Sequence, residues 1–247
     1  MVECAHSHPH RTLIAIVALV VLGAASLVAS CAKRWAHPKL AKMTPGIFLD
    51  SDRSLLPPGF ESGSGAILPP GWRGLPNNGL TLTEDSEGFV PDLYDDAAGY
   101  CSIGFGHLIK RAGCDGSEPA EFRYGLSRAR GAELLVRDML IAQAEVQREV
   151  TAKLSNGEYA ALCDFVYNVG GTNFRRSTLR KVINNNELER VPGQFQRWVL
   201  AGGRRWSALR TRRNNEIVLF FDGLSLPRAL PPTGEDLSAI DVRTGEQ

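Results

Sequence analysis

Residues 87–107 read EGFVPDLYDDAAGYCSIGFGH and combine a hairpin pattern with closely spaced acidic residues. Tyr, Ile and Phe alternate with small residues on both sides of the turn-forming DDAAG, which predicts two β-strands joined by a short connection. Glu87 precedes the first strand, Asp96 lies at the turn, and Ser102 lies on the returning strand. The pattern predicts a small β lobe that forms the floor of a cleft.

From Ser127 on, the apolar residues have the spacing of a helix. Apolar residues recur every three or four positions as far as Val150, which predicts one long amphipathic helix with Ser127 as its N-cap. A short helix capped by Thr81 or Thr83 should end at Glu87. Further helical segments are predicted at 156–169, 177–185, 193–201 and 206–221. We therefore predict an α+β fold with a small β-hairpin lobe, a long connecting helix and a helical lobe.

Composition excludes several classes of function. Hydrophobic residues make up 43% and charged residues 22% of the chain, as in ordinary globular proteins. A formal net charge of +1 gives no reason to expect a nucleic-acid partner. The five cysteines show no CxxC or Cys/His ligand spacing, so no metal site is expected. A bridge between Cys101 and Cys114 is conceivable, but the sequence alone does not establish its geometry.

The N-terminal region carries an uncharged, almost wholly apolar run from Thr12 to Ala32. About 20 such residues cross a bilayer as a helix, so residues 1–32 are predicted to be a membrane anchor or signal segment. Four fates stay open: a retained anchor, a releasable anchor, a cleaved signal, or a lipoprotein signal ending at Cys31. The basic residues that follow, between 33 and 42, oppose export under the positive-inside rule.

Residues 33–78 are rich in Pro and Gly and show no period, which predicts a linker. We expect the folded domain to span 79–226 and residues 227–247 to form a flexible tail.

The acidic residues match the needs of glycosidic bond cleavage. That reaction needs a protonated carboxylic acid at the leaving oxygen and a second carboxylate or a positioned water at the anomeric carbon. Apolar cover from Phe89 would raise the carboxyl pKa of Glu87 and keep it protonated. Asp96 and the hydroxyl of Ser102 could align a water. Taken singly, a glutamate before glycine is more often a surface residue, and Asp95-Asp96 is more often part of a turn.

The arrangement as a whole resembles the phage-type lysozymes of glycoside hydrolase family 24. Their pattern is Glu, eight residues, Asp or Cys, five residues, Thr, and here Glu87, Asp96 and Ser102 have that spacing, followed by IGFGH. A second block is similar to the helical lobe of lambdoid phage endolysins, in DFVYNVGGTNFRRSTLRKVIN (164–184) and FQRWVLAGGRRWSALRTRRNNE (195–216). The resemblance covers about 80 to 222.

The resemblance implies an inverting muramidase that cleaves the β-1,4 bond between N-acetylmuramic acid and N-acetylglucosamine and lyses bacterial cells. It implies Glu87 as general acid and Asp96 with Ser102 as holders of the attacking water, with no cofactor. Ser102 departs from the usual Thr, keeping the hydroxyl but losing the methyl group that restricts its rotamer.

The resemblance also suggests cleft residues. His107 would hydrogen-bond near Asp96 or tether the hairpin to the helical lobe. Tyr167 and Asn168 would contact substrate or simply end a helix before Gly170. Arg212 and Arg213 would meet substrate or a structural carboxylate such as Glu216.

Peptidoglycan and the bacterial inner membrane are the expected partners, and the chain is expected to be a monomer with its catalytic domain facing the periplasm. The first segment is similar to the signal-anchor-release segments of certain phage endolysins. Two alternatives are a catalytically silent peptidoglycan-binding module and a bacteriocin-like toxin. A binding module needs neither carboxylate, and a toxin needs a folded N-terminal domain.

Overall fold

The computed structural model describes residues 71–96, 99–222, 224–227 and 232–246. The predicted membrane segment, Cys31 and the first part of the predicted linker lie outside these residues. Within the described ranges, no helix is long and apolar enough to span a membrane.

The β lobe is an antiparallel sheet of three strands in the order β1–β2–β3. These are β1 (Val90–Asp95), β2 (Cys101–Gly104) and β3 (His107–Lys110). The predicted hairpin is confirmed, and a third strand returns after the GFG turn, where Gly104 and Gly106 have φ angles of 69° and 85°. Tyr94 and Ser102 are direct partners in the β1–β2 register.

Two helices border the β lobe. Helix α1 (Asn77–Glu87) leads into β1, and helix α2 (Arg128–Glu149) follows a short 3-10 turn at Ala120–Phe122. The Ser127 side chain accepts a hydrogen bond from the Arg130 N–H, which confirms the predicted N-cap of the long helix. The predicted cap at Thr81 or Thr83 is wrong, because α1 begins at Asn77 and both residues lie inside it. The Thr83 hydroxyl lies 2.8 Å from Asp164 Oδ1 and 3.1 Å from Gly79 O.

The helical lobe packs around α3 (Asn156–Val169), whose bounds match the predicted segment. Its other helices are α4 (Gly171–Arg176), α5 (Thr178–Asn184), α6 (Val191–Gln196), preceded by a 3-10 turn at Leu188–Arg190, and α7 (Ser207–Phe220). Phe165 of α3 is central, with ring centroids 5.3 Å from those of Phe195 and Trp198 and 6.3 Å from that of Phe174. The α+β fold class is confirmed.

The predicted helix at 193–201 is wrong over its second half. Helix α6 ends at Gln196, and β4 (Trp198–Ala201) pairs with β5 (Arg204–Arg205). Gly202 and Gly203, with φ angles of 60° and 73°, form the turn between them. Two glycines between β-forming residues are a hairpin signal, so the Trp-Val-Leu run favours a strand.

The prediction of a flexible C-terminal tail is also wrong for residues 232–246. Strand β6 (Ile240–Asp241) runs parallel to β4, with Ile240 opposite Trp198. Ile240 and Val242 are buried, and the side chain of Asn173 donates to Val242 O. Apolar burial and strand pairing therefore hold this segment on the helical lobe.

The ordered domain begins before the predicted residue 79. Arg73 lies in the predicted linker, yet its guanidinium donates to Leu154 O and Ser155 O at 3.0 and 2.8 Å. The same guanidinium stacks 4.4 Å from the ring centroid of Tyr159, whose hydroxyl donates to Arg73 O. These contacts fix the entry to α1 against α3.

One disulfide joins Cys101 at the start of β2 to Cys114 in the loop after β3. The sequence left this pairing open, and the structure contains it. Cys163 is a free, fully buried thiol in α3.

Candidate active site

Glu87 is the last residue of α1, where Gly88 at φ 69° ends the helix, and only 3% of its surface is exposed. Its Oε1 accepts a hydrogen bond of 2.7 Å from Arg212 Nη1. The sequence suggested apolar cover from Phe89, but Phe89 packs on Phe105 with 5.1 Å between ring centroids. An ion pair with α7 therefore positions the candidate acid.

Arg212 is shared between two carboxylates. Its Nε and Nη2 donate to Asp164 Oδ2 and Oδ1 at 2.9 and 2.8 Å, a bidentate pair. Burial alone would raise the pKa of Asp164, but the charge and hydrogen bonds of Arg212, with the hydroxyl of Thr83, lower it overall. This network joins α1, α3 and α7 beneath Glu87.

Asp96 and Ser102 come together at the hairpin, as the spacing predicted. Asp96 is 6% exposed and Ser102 is fully buried. Asp96 Oδ1 accepts from the Tyr100 N–H at 3.0 Å, which holds the carboxylate across the turn. Ser102 Oγ lies 3.5 Å from Asp96 Oδ2, a long contact that leaves the hydroxyl able to turn toward another acceptor.

Tyr94 is a site residue that sequence reasoning missed. It is two residues before Asp96 and directly opposite Ser102, so all three side chains share one face of the hairpin. Burial raises the pKa of Tyr94, and the charges of Glu87 and Asp96 raise it further. Its hydroxyl therefore lies in the field of both carboxylates. The period-2 pattern of LYDD, with Tyr94 and Asp96 on one face, was the available signal.

Tyr167 is buried near the end of α3. Burial raises its pKa most, followed by the charges of Asp138 and Glu87, while Arg212 opposes the rise. The structure thus brings Tyr167 near the candidate acid.

Asn168 does not line the cleft. It is fully buried, and its Oδ1 accepts from Arg213 Nη2 at 2.9 Å. Arg213 in turn pairs with Glu216 at 2.6 Å, so its partner in this structure is a carboxylate of the chain itself. Burial among these groups conflicts with a substrate contact by Asn168.

His107 acts as a tether in this structure. Its Nδ1 lies 2.8 Å from Asp138 Oδ2, which joins β3 to α2. Of the two alternatives for His107, the described contacts show the tether and not a bond to Asp96.

Within the described ranges, only one group of side chains has the proximity of metal ligands: Cys101, Cys114 and Glu118. The two sulfur atoms are joined in the disulfide, and Glu118 pairs with Lys110 at 2.9 Å. The disulfide and the neighbouring ion pair therefore explain why these three side chains lie close together.

This geometry defines a class of protein: a two-lobed glycosidase with a buried glutamate at a helix end and an aspartate–serine pair on a neighbouring hairpin. The family model described as phage lysozyme matches residues 84–216. The SAR-endolysin of bacteriophage PS119 is 32% identical over 130 residues, covering 53% of this chain and 73% of that protein. The endolysin of Salmonella phage P22 is 29% identical over 146 residues, 59% of this chain and 97% of its own length.

Solved structures agree. A P22 lysozyme mutant superimposes with a TM-score of 0.52 and 27% identity, covering 60% of this chain and 98% of that chain. The endolysin of Escherichia coli O157:H7 phage FAHEc1 has the same fold, with a TM-score of 0.54 and 23% identity over 62% of this chain and 97% of its own. The chain belongs to the phage lysozyme family. It hydrolyses peptidoglycan as a lysozyme and thereby causes bacterial lysis.

Proposed function

We propose that Glu87 is the general acid of an inverting muramidase and that Asp96, with Ser102, holds the attacking water. The observation that carries this assignment is the Asp96–Ser102 contact on the same hairpin face as Tyr94, whose hydroxyl lies in the field of both Asp96 and Glu87. The bond cleaved is the β-1,4 link between N-acetylmuramic acid and N-acetylglucosamine. The enzyme acts as a monomer.

In this mechanism, Glu87 gives its proton to the glycosidic oxygen as that bond breaks. The water held by Asp96 and Ser102 attacks the anomeric carbon from the opposite face, and Asp96 accepts its proton. Proton exchange with solvent then restores both carboxyl groups. One water is consumed for each bond broken: its hydroxyl group goes to the anomeric carbon, and one proton in total goes to the leaving oxygen.

Arg212 positions Glu87 but does not hold it permanently in the ionised form. Asp164 accepts two of the guanidinium N–H groups, so much of the Arg212 charge is already balanced before it meets Glu87. We propose that this sharing lets Glu87 alternate between protonated and ionised forms. Tyr167, close to the same carboxyl group, is proposed to contact the sugar that carries the leaving oxygen.

Replacement of the acid tests the assignment. Glu87→Gln keeps the shape of the side chain but removes the transferable proton, so turbidity loss on purified peptidoglycan should fall by about 10²–10⁴-fold. Glu84→Gln is the matched control, one turn earlier on the same helix and paired with Arg128. A folded Glu87→Gln protein that lyses at the wild-type rate would refute the role of Glu87.

We further propose that the run from Thr12 to Ala32 attaches the chain to the inner membrane, with the catalytic domain in the periplasm. Three observations support this placement. Relatives bear the name SAR-endolysin. The domain has a disulfide, and disulfides persist in oxidising compartments such as the periplasm. The substrate also lies outside the inner membrane.

Fractionation and mass determination test this placement. The full chain should sediment with membranes, and replacing Gly23, Ser26 and Ser30 by Leu should hold more of it there, because added apolar area favours the bilayer. Cys31→Ala should remove a lipid-dependent mass increase if Cys31 is lipidated. Unprocessed full-length protein found only in the cytoplasm would contradict every version of this placement.

A further inference from the structure

A buried cluster of charged side chains extends from Glu87 into α7. Its cations are Arg212 and Arg213, and its carboxylates are Glu87, Asp164 and Glu216. None of these five residues is more than 5% exposed. Buried charges are stable only when they are paired, and three carboxylates that face two guanidiniums leave one negative charge without a cation. One proton held by these carboxylates therefore balances the cluster.

Asp164 is not the carboxylate that holds this proton. Both of its oxygens accept from the guanidinium of Arg212, at 2.9 and 2.8 Å. The charge and hydrogen bonds of Arg212 lower the pKa of Asp164 although its burial acts in the opposite direction. The proton is therefore held by Glu87 or by Glu216.

Glu216 is well placed to hold it. Its Oε1 accepts from Arg213 Nη2 at 2.6 Å and lies 3.7 Å from Nε of Arg212. Arg212 is also the residue whose Nη1 donates to Glu87. Burial raises the pKa of Glu216, the charge of Arg213 opposes the rise, and the charge of Asp164 adds to it. Arg212 therefore lies between two carboxyl groups that can each take the proton.

We propose that Glu216 is a positioning residue of the catalytic acid, because Glu216 and Glu87 share one proton across Arg212. The inference rests on the proposed role of Glu87 and adds a fully buried residue behind it. In one form, Glu87 is protonated and able to donate, while Glu216 is ionised and paired with Arg213. In the other form, Glu216 holds the proton and Glu87 is ionised against Arg212. Both forms have the same number of protons and the same net charge, so neither leaves a buried charge without a partner.

Other titratable groups also act on Glu87 or on its neighbours. Tyr94 of β1 and Tyr167 of α3 both feel the charge of Glu87. Asp96, after β1, acts on Tyr94, and Asp138 of α2 acts on Tyr167. All four residues are kept in the variants that test the proposal. A changed pH dependence in those variants therefore reports on the cluster of arginines and carboxylates.

The test is the pH dependence of kcat for the full chain on purified peptidoglycan. On the alkaline side, kcat falls as the general acid of the enzyme–substrate complex loses its proton. Glu216→Gln keeps the shape of the side chain but removes one carboxylate, so the two arginines then face only Glu87 and Asp164. Glu87 should ionise more readily, and the alkaline limb should move to lower pH by at least about half a pH unit.

A second variant should move the same limb in the opposite direction. Asn168 Oδ1 accepts from Arg213 Nη2 at 2.9 Å, and Asn168 Nδ2 has no hydrogen-bond partner among the described residues. Asn168→Asp therefore keeps the acceptor, loses no hydrogen bond and adds a carboxylate, which should move the alkaline limb to higher pH. Combined with Glu216→Gln, it returns the number of carboxylates to that of the wild type and should bring the limb back toward the wild-type position.

Glu145→Gln is the matched control, because Glu145 is also a buried carboxylate paired with an arginine, Arg148, but lies outside the cluster. It should lower the Tm and keep the wild-type pH profile of kcat. If Glu216→Gln behaved in the same way, Glu216 would be a structural residue only and the inference would be overturned.

Asn168→Asp tests the proposal even where Glu216→Gln does not fold, since an alkaline limb that this variant leaves in place would also overturn it. Wild-type lysis by Glu87→Gln would refute the role of Glu87 and this inference with it. An inactive Glu87→Gln protein, together with an unmoved limb in the cluster variants, would overturn the inference alone.

Discussion

The guanidinium of Arg212 donates to the carboxylate of Glu87, with 2.7 Å between Nη1 and Oε1, although the two residues are 125 positions apart in the chain. This contact joins the end of α1 to α7. The same guanidinium holds Asp164 of α3. The position of the candidate acid therefore depends on a buried charge network in the helical lobe, and stability and activity are coupled there.

Arg212→Gln should destabilise the domain by about 3–5 kcal/mol, because it leaves the buried carboxylates of Glu87 and Asp164 without their cation. Chemical denaturation of both proteins measures the difference. Arg210→Gln, exposed two residues earlier on α7, should change the free energy of unfolding by less than about 0.5 kcal/mol. A loss below 1 kcal/mol for Arg212→Gln would show that the network contributes little.

Asp164 should make the domain sensitive to acid. Its pKa is lowered in the folded state, so its stabilising contribution is complete above the unfolded value of 3.8 and is lost as pH falls through the lower, folded pKa. Denaturation between pH 6 and pH 2 should show a steep fall below about pH 4 in the wild type. Asp164→Asn should be less stable at neutral pH, and its free energy of unfolding should change less with pH over this range. The control Asp85→Asn, at an exposed position, should keep the wild-type dependence of the free energy of unfolding on pH. If Asp164→Asn also kept it, groups other than Asp164 would cause the acid sensitivity.

Asp96→Asn should lower kcat far more than Ser102→Ala. An amide cannot accept the proton of the attacking water, whereas the 3.5 Å contact between Ser102 and Asp96 is weak. We expect about 10²-fold or more for Asp96→Asn and about two- to tenfold for Ser102→Ala. Asp92→Asn, on the exposed part of β1, is the control. Wild-type activity in a folded Asp96→Asn protein would show that another group positions the water.

Tyr94→Phe should lower kcat by about two- to tenfold, because the hydroxyl lies in the field of both carboxylates and its loss changes their polar surroundings. Tyr124→Phe is the matched control, since Tyr124 is 96% exposed. Steady-state kinetics and thermal melting separate the effects. An unchanged kcat together with a lower Tm would make Tyr94 a packing residue only.

Reduction of the Cys101–Cys114 bridge should destabilise the β lobe. The bridge spans 13 positions, and closing a loop of about this length contributes roughly 3 kcal/mol. A reductant should therefore lower the Tm of the wild type, and Cys101→Ala with Cys114→Ala should show a low Tm that reductant does not change. Cys163→Ala, which removes the buried thiol of α3 and leaves the bridge in place, should remain sensitive. Reductant resistance in the wild type would contradict a stabilising bridge.

Local patterns of residues were enough to predict most helices, the hairpin and the Asp96–Ser102 pair. The bounds of α3 follow from its own apolar period and from the Ser155 capping box, and both are properties of neighbouring residues. Asp96 and Ser102 meet because a tight turn brings nearby positions together. The errors at 193–201 and 232–246 have different causes. At 193–201 the two glycines after the Trp-Val-Leu run are a local signal for a hairpin turn, and the predicted helix treats them as a helix break instead. Strand β6 pairs with β4, some 40 residues earlier, and pairing across that distance leaves no period in residues 232–246.

The chain alone therefore predicted the class of fold from local patterns, while its resemblance to a lysozyme family implied the reaction and the proposed site residues. Tertiary structure decided which charges neutralise one another. Arg212 could equally have met substrate or Glu216, and the packing of α7 on α1 and α3 placed its strongest contacts on Glu87 and Asp164. Asn168 became a buried partner of Arg213 for the same reason. A buried charge takes whichever opposite charge the folded chain brings within hydrogen-bond distance, and only packing sets that distance.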